Sequence, residues 1–387
     1  MPHYFPAVRY GGPIRSVQGL AAATAALGHD VHVYTTNVDG PGVSDVPTGL
    51  PVVIDGVAVW YFPSGLGRKI FRSPALGRSL EETIKTFDIV HIHYMWVWTT
   101  ICAAAIARRH CVPYILAPRG MLVADLIRRR SGFAKRAWLG VFGRHDIRCA
   151  AAIHVTSDVE ATDFTALRLS ARRVVIIPNG VDALQKQEGI SMWGELGTSA
   201  NGGRPYVLFL GRLSWKKGLD RLVRAFVTVP NADLVIAGYD EGGYQLVIER
   251  LVSEGQIGDR VRFVGPVEGA IKQMLVANAS CVVLPSYNEN FGMVVVEAMA
   301  AGRPVVVTPE VGLANVVEGT GSGIVAQGDP AAIAAALNFI LRNPTQARGM
   351  GEAGRTVVQQ RYGWDTVARD VQQLYEECCA SLPPDGR

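Results

Sequence analysis

Long uncharged apolar runs are missing from this 387-residue chain. The nearest, "IVHIHYMWVWTTICAAAIA" over 89–107, carries two histidines and reads as a buried strand, a loop and then a helix, not a membrane span. The six cysteines (Cys102, Cys111, Cys149, Cys281, Cys378 and Cys379) form no C-x-x-C pair and no metal spacing, so they read as thiols of a reducing compartment. Charge of one sign is scarce as well: the formal net charge is +4, too mild to imply a nucleic-acid partner. No G-x-G-x-x-G fingerprint follows a strand, which excludes a dinucleotide-dependent dehydrogenase. "GTGSG" (319–323) is discounted because no strand leads into it. Met1-Pro2-His3-Tyr4 has neither the basic nor the apolar region of a signal peptide, so the expectation is a cytoplasmic protein.

What is present points to layered α/β structure. Hydrophobic residues make up 49% of a chain too long for one ordinary core, which implies two domains. Pro13 opens a helical pattern (Ile14, Val17, Leu20, Ala21, Leu27) that Gly28 ends. Short apolar strands follow at 31–36, 57–62, 88–93, 114–117, 152–156 and 173–178. Polar, Gly-rich residues 183–204 have no period and read as a linker. Beyond it strands at 206–211, 233–238, 261–265, 281–286 and 304–308 alternate with helices, and their lack of polar alternation predicts parallel sheets covered on both faces. A doubly wound domain normally begins with a strand feeding its glycine loop, whereas Gly11 and Gly12 follow ten residues without an apolar run. The expectation is a first N-terminal strand that is missing.

The chemistry concentrates in a few places. "FLGRLSWKKGLD" sets Arg212 just past a strand end, with Lys216 and Lys217 before a helix, where two cations suit a diphosphate. In "PSYNENFGMVVVEAMAAGRPVV" the residues Asn290, Phe291, Gly292 and Met293 open a helix whose free N–H groups can meet an anion. Glu297 interrupts the apolar face of that helix. Two readings stand for it: a carboxylate gripping a vicinal diol, or a side chain that reaches water. Glu289, in the loop, can reach a hexose hydroxyl. Gly11-Gly12 permits close backbone approach to an anion, or is only a turn. His91 and His93 lie on one side of a strand, as packed histidines or as substrate contacts. Residues 108–148 hold ten Arg or Lys, among them Arg119, Arg128, Arg129, Lys135 and Arg136, interleaved with apolar residues. That stretch suits an anionic membrane surface or an acidic acceptor, or is a solvated helix face.

"GRLSWKKG" with E-N-F-G-x(4)-E from Glu289 to Glu297 resembles the nucleoside-diphosphate-sugar site of the retaining glycosyltransferases of family 4, and "IPNGVD" (177–182) resembles their segment between domains. The resemblance implies the GT-B fold: two Rossmann-like, doubly wound domains facing a cleft. It divides the chain into an acceptor-binding domain 1–182, a linker 183–204, a donor-binding domain 205–361 and a helix 362–387 packing back on the first domain. By resemblance Arg212 and Lys217 hold the donor diphosphate, and Glu297 holds the ribose. Glu289 with Asn290, Phe291, Gly292 and Met293 contacts the transferred sugar, and Val267 lies near the base. Gly12 approaches the phosphate, His93 lies beside the sugar, and Arg212, Lys217, Glu289 and His93 form the catalytic set. The implied reaction moves a hexose from a UDP- or GDP-sugar to a sugar or lipid-linked acceptor at a polysaccharide precursor, at the inner face of the membrane. No metal or other cofactor is implied, in line with the missing Asp-x-Asp pair. An epimerase or hydrolase on the same fold, or a non-catalytic scaffold, are the alternatives.

Overall fold

The computed structural model describes residues 1–7, 12–123, 127, 132–182 and 204–381. The chain divides into two compact units, Met1–Gly180 with Trp364–Arg387, and Val181–Gly363. The linker expected at 183–204 lies, up to residue 203, outside the described residues. Among the described residues no helix is long and apolar enough to cross a membrane.

In the first unit helix α1 (Gly12–Ala26) buries Ile14, Val17, Leu20 and Ala21 along one stripe. Strand β1 (His32–Thr36) is followed by a two-residue ribbon, β2 (Val38–Asp39) and β3 (Gly42–Val43), then by β4 (Pro51–Ile54) and β5 (Val57–Phe62). β1 runs parallel to β5, and β4 pairs antiparallel with it. Asp55 and Gly56 link that hairpin with φ of 50° and 79°, the paired positive values of a two-residue turn whose twist matches the strands. Asp-Gly is the sequence signal for such a turn, and β4 was not expected.

Next come α2 (Pro74–Thr83), capped by the Ser73 hydroxyl, β6 (Val90–His93), α3 (Trp98–Arg109) and β7 (Tyr114–Ala117). The run over 89–107 is therefore strand, loop and helix, as read. Then follow α4 (Gly132–Trp138), a π-turn over Leu139–Gly143, α5 (Arg144–Cys149), β8 (Ala152–Val155), α6 (Asp158–Ala166) and β9 (Val174–Ile176). β6, β7, β8 and β9 form a second, wholly parallel sheet in that order. The last helix, Trp364–Ala380, packs on α1. Among the described residues no strand precedes α1. β1 and β6 are both edge strands, so two sheets stand where one was to be expected.

The second unit holds one six-stranded parallel sheet. Its strands are β10 (Tyr206–Leu210), β11 (Asp233–Ala237), β12 (Val261–Gly265), β13 (Cys281–Leu284), β14 (Val305–Val307) and β15 (Gly323–Val325), in the spatial order β12-β11-β10-β13-β14-β15. Four of these, β10, β11, β13 and β14, are buried at every residue, which explains why they read as uninterrupted apolar runs. The helices between them are α7 (Leu219–Phe226), α8 (Tyr244–Glu254), α9 (Gly269–Asn278), α10 (Met293–Ala300), α11 (Ala314–Thr320), α12 (Pro330–Arg342) and α13 (Pro344–Arg361). From β10 the chain steps outward to β11 and β12, then returns to β13 on the other side and steps away. β10 and β13 are thus the neighbours at which the winding reverses, and ligands of such sheets lie outside their carboxyl ends.

A chain of hydrogen-bonded rings, buried at His154 and partly buried at His91 and Tyr375, ties the first unit together. The Ile177 carbonyl only accepts, so the His154 Nε2 at 2.9 Å carries the proton. His154 Nδ1 then accepts from His91 Nε2 at 3.2 Å, and His91 Nδ1 accepts from the Tyr375 hydroxyl at 2.9 Å. Burial holds these imidazoles neutral: His154 is pushed down to about 3, and His91 falls well below its ordinary value. His3, buried against Tyr94, is likewise pushed down to about 3. The unfolded chain therefore binds protons that the folded one refuses, so stability is full above about pH 6.5 and falls as pH drops toward 3. At pH 5 the loss is about 2 kcal/mol for each such group. Thermal unfolding between pH 7 and pH 5 should show a falling Tm, with a shallower slope for His154→Asn. A Tm that holds steady across that window would contradict the assignment.

Candidate active site

The site elements of the second unit converge at the point where the winding reverses. After Leu210 the chain runs through Gly211 and Arg212, anchors itself with buried Leu213, and makes a 3-10 turn at Trp215–Lys217. Gly218 follows with φ of 68°, a conformation costly for any residue with a side chain. A Cβ there would stand 1.9 Å from the Pro285 carbonyl oxygen, so the loops after β10 and β13 touch backbone to backbone. Tyr287 reinforces the contact. Its N–H donates to the Lys216 carbonyl at 2.8 Å, its hydroxyl donates to Asp220 at 2.8 Å, and the Arg221 guanidinium lies 3.5 Å from its ring centre.

This contact brings Lys217 to Glu289. The ammonium donates to the carboxylate Oε2, and both side chains are mostly buried. The Glu289 backbone is held from the other side, its N–H on the Glu310 carbonyl at 3.1 Å and its carbonyl on the Gly312 N–H at 2.8 Å. Only the carboxylate is left to face the cation. Three residues on, Gly292 caps α10 with φ of 97°, and no side chain caps that end of the helix. Its first N–H groups are thus placed for an oxygen-rich ligand. Asn290 and Phe291 lead into it, and Phe291 is buried against Tyr362. Met293 is the first helical residue.

Glu297 sits in the second turn of α10 between buried Val296 and Ala298. Neither earlier reading foresaw its partner: Lys272 on α9 donates to its carboxylate at 2.6 Å, and both side chains are mostly buried. Val267 lies partly buried in the loop joining β12 to α9, which packs on α10. Arg212 is exposed and pairs at 3.3 Å with Glu241 in the loop after β11. Such exposed pairs contribute little and exchange readily. The three cations therefore stand matched with three carboxylates, Arg212 with Glu241, Lys217 with Glu289 and Lys272 with Glu297. Lys272, Glu241, Arg221 and Tyr287 escaped the sequence reading. Glu241 alone had a usable signal, being just past a strand end and before Gly242-Gly243.

The candidates of the first unit are placed differently. Gly12 is the exposed first residue of α1, and Gly11 lies outside the described residues. His93 ends β6 and is buried, its ring stacked at 4.3 Å on His91. Its Nδ1 accepts from Arg119 Nε at 3.3 Å, and Arg119 Nη1 donates to the Asn179 side chain at 2.6 Å. Arg119 is therefore buried at the carboxyl end of β7, which corrects its assignment to a membrane-facing surface. Arg108 also turns inward, to buried Asp146 at 2.6 Å. The stretch 108–148 is accordingly broken among several elements, not one amphipathic face. Arg136 is exposed, Lys135 lies 5.5 Å from the Trp96 ring centre, and Arg128 and Arg129 lie outside the described residues. Among the described residues no group of three or more His, Cys, Asp or Glu could hold a metal ion.

Comparison with known proteins agrees in both halves. The family model described as glycosyl transferases group 1 matches residues 197–357, and the glycosyl transferase 4-like domain matches residues 11–180. The chain is 28% identical to a glycogen synthase of Mycobacterium tuberculosis over 403 residues, covering 96% of this chain and 92% of that one. Its structure is similar to that of a sucrose-phosphate synthase from Thermosynechococcus elongatus, with a TM-score of 0.77 and 25% identity over 96% and 94% of the two chains. It is similar too to Anabaena HepE in complex with UDP and glucose, with a TM-score of 0.75 and 20% identity over 95% and 97%. Both halves matched in their proper order, on two doubly wound α/β units, establish that the chain belongs to the group 1 glycosyltransferases and has the GT-B fold.

Proposed function

We propose that this glycosyltransferase moves a hexosyl group from a nucleoside diphosphate sugar, UDP- or GDP-linked, to an acceptor hydroxyl with retention at the anomeric carbon. The observation that carries the reading is the pair of buried ion pairs, Lys217 with Glu289 and Lys272 with Glu297, flanking the uncapped start of α10. A diphosphate takes the Lys217 ammonium and the Arg212 guanidinium in place of their carboxylate partners, with the first N–H groups of α10 as further donors. Glu289, so released, accepts from the hydroxyls of the sugar. Glu297 accepts from the ribose diol while Lys272 keeps its carboxylate in place. The UDP bound by HepE, a protein of the same fold, supports a nucleotide at such a site.

Bond breaking at the anomeric carbon sends an electron pair to the diphosphate oxygen. The added charge meets donors already in position, which is where electrostatic catalysis acts. Attack on the face that the diphosphate leaves gives retention, with the departing phosphate taking the acceptor proton. The cations do the charge work that a metal does elsewhere. The acceptor in this reading is a lipid-linked or polysaccharide precursor, and the exposed Arg136, Arg144 and Arg148 are the side chains that support its being met at an anionic surface.

A thermal-shift screen of UDP- and GDP-sugars with purified protein tests the donor, and incubation without acceptor should release little free sugar. Arg212→Ala should lower kcat/KM by about 10²-fold with Tm unchanged, because the pair it breaks is exposed. Lys217→Ala should lower turnover at least as far. Wild-type turnover in both variants would overturn the reading. Glu297→Gln should weaken UDP binding by roughly 10-fold, about 1.4 kcal/mol in calorimetry. An unchanged Kd would remove Glu297 from the nucleotide site.

A further inference from the structure

The carboxyl ends of β6 and β7 carry residues in a backbone conformation that is costly for any side chain. Tyr94 and Trp96 follow β6 with φ of 76° and 65°, and Arg119 follows β7 with φ of 54°. Strained residues persist only where the surrounding structure holds them, and they cluster where proteins do chemistry. The two loops meet at His93, the last residue of β6, whose ring stacks at 4.3 Å on that of His91.

The protons around His93 can be placed one by one. A guanidinium only donates, so Arg119 Nε at 3.3 Å makes His93 Nδ1 the acceptor and leaves the ring proton on Nε2. The same rule fixes the Asn179 amide, whose oxygen faces Arg119 Nη1 at 2.6 Å. His91 does not compete for the ring, because its Nε2 donates to His154 and its Nδ1 accepts from Tyr375. Among the described residues His93 Nε2 has no hydrogen-bond partner, yet it is not sealed from solvent. A residue only 6% exposed therefore shows the outside one N–H donor.

The ring is also held neutral. Burial is the largest cause, followed by His91 on the same strand, Arg119 in the loop after β7, the amino terminus and His154 on β8. All oppose a positive charge, and no carboxylate stands among them. A proton added at Nδ1 would meet the Arg119 N–H head on, and Nε2 already bears one. His93 is thus built to donate a hydrogen bond and not to take up a proton. Arg119 is itself buried with no carboxylate bonded to it among the described residues, an arrangement that packing alone does not favour.

We propose that Arg119 and Asn179 are positioning residues that hold His93 as a fixed hydrogen-bond donor to a sugar hydroxyl of the substrate. Asn179 steadies the guanidinium, the guanidinium occupies Nδ1, and Nε2–H is left for the ligand. The resemblance places His93 beside a sugar, and the new element is the pair behind it. The hydroxyl belongs to the hexose of the donor or to a sugar of the acceptor, and a neutral N–H suits either. In the glycosyl-transfer reading, on which this role rests, the departing phosphate takes the acceptor proton, so none is asked of His93.

Long-range proton–nitrogen spectra of the full chain with isotope-labelled histidine test the tautomer, with His93 assigned through His93→Gln. They should show Nε2 protonated and Nδ1 bare between about pH 6 and about pH 8.5, and a mixture of tautomers in Arg119→Met. UDP-glucose, UDP-galactose and GDP-mannose, each against UDP or GDP alone, probe the donor. Methyl α-glucoside and methyl α-galactoside probe the acceptor. A sugar that engages His93 should shift the Nε2 resonance, and Arg119→Met should weaken its binding by roughly 5-fold while UDP and GDP bind within about 2-fold of wild type. His93→Gln, which keeps an N–H near that place, should retain more sugar affinity than His93→Phe. Should Arg119→Met fail to fold, Asn179→Ala makes the same comparison. A protonated Nδ1, a ring that titrates within that window in the wild type, or unchanged sugar affinity in the folded variant would overturn the proposal. With UDP or GDP bound, no shift from any of these sugars overturns it and leaves the nucleotide site standing. Binding of no nucleotide at all removes the glycosyl-transfer reading and this role together.

Discussion

The pairing of β10 with β13, Val207 opposite Cys281 and Leu208 opposite Val282, is the constraint on which the site depends. Each strand leads to a helix and then to a strand farther out, on opposite sides of the sheet. No connection crosses above the gap between them, so their two loops meet with nothing overhead. One loop carries Arg212 and Lys217, the other Glu289 and the start of α10. Slipping β13 by one residue would turn its buried side chains to the other face and carry Glu289 away from Lys217.

Much of the second unit was legible because its strands are covered on both faces. "YVLFL" and "CVVL" are written as unbroken apolar runs, and the strand limits fall within a residue or two of the expected ones. β4 was not legible although Pro51–Ile54 is wholly apolar, because it is a four-residue edge strand that opens on a proline and exposes alternate side chains. β15 is three residues long and only partly buried, too short for any period to show. At the site, a charge within the apolar helix at Glu297 was a true signal. Its partner was invisible, because Lys272 arrives from another helix through a contact that only tertiary structure creates.

Arginine in the first unit shows the opposite error. A run of basic residues looks solvated in sequence, yet Arg108 finds buried Asp146, and Arg119 finds His93 and Asn179. A guanidinium satisfied by neutral or acidic neighbours leaves the same composition as one in water. The histidines show it again. "VHIH" left packed histidines and substrate contacts both open, and only the positions of His154 and Tyr375 reveal the hydrogen-bonded chain that His91 joins.

At Gly218 and Pro285 two main chains meet without an intervening side chain. The separation between the basic and the acidic loop is therefore a property of the backbone, indifferent to which residues line the pocket around it. Side chains around the two loops are free to change while that gauge stays constant. Position 218 itself has no such liberty, and a methyl group there would pry the two loops apart.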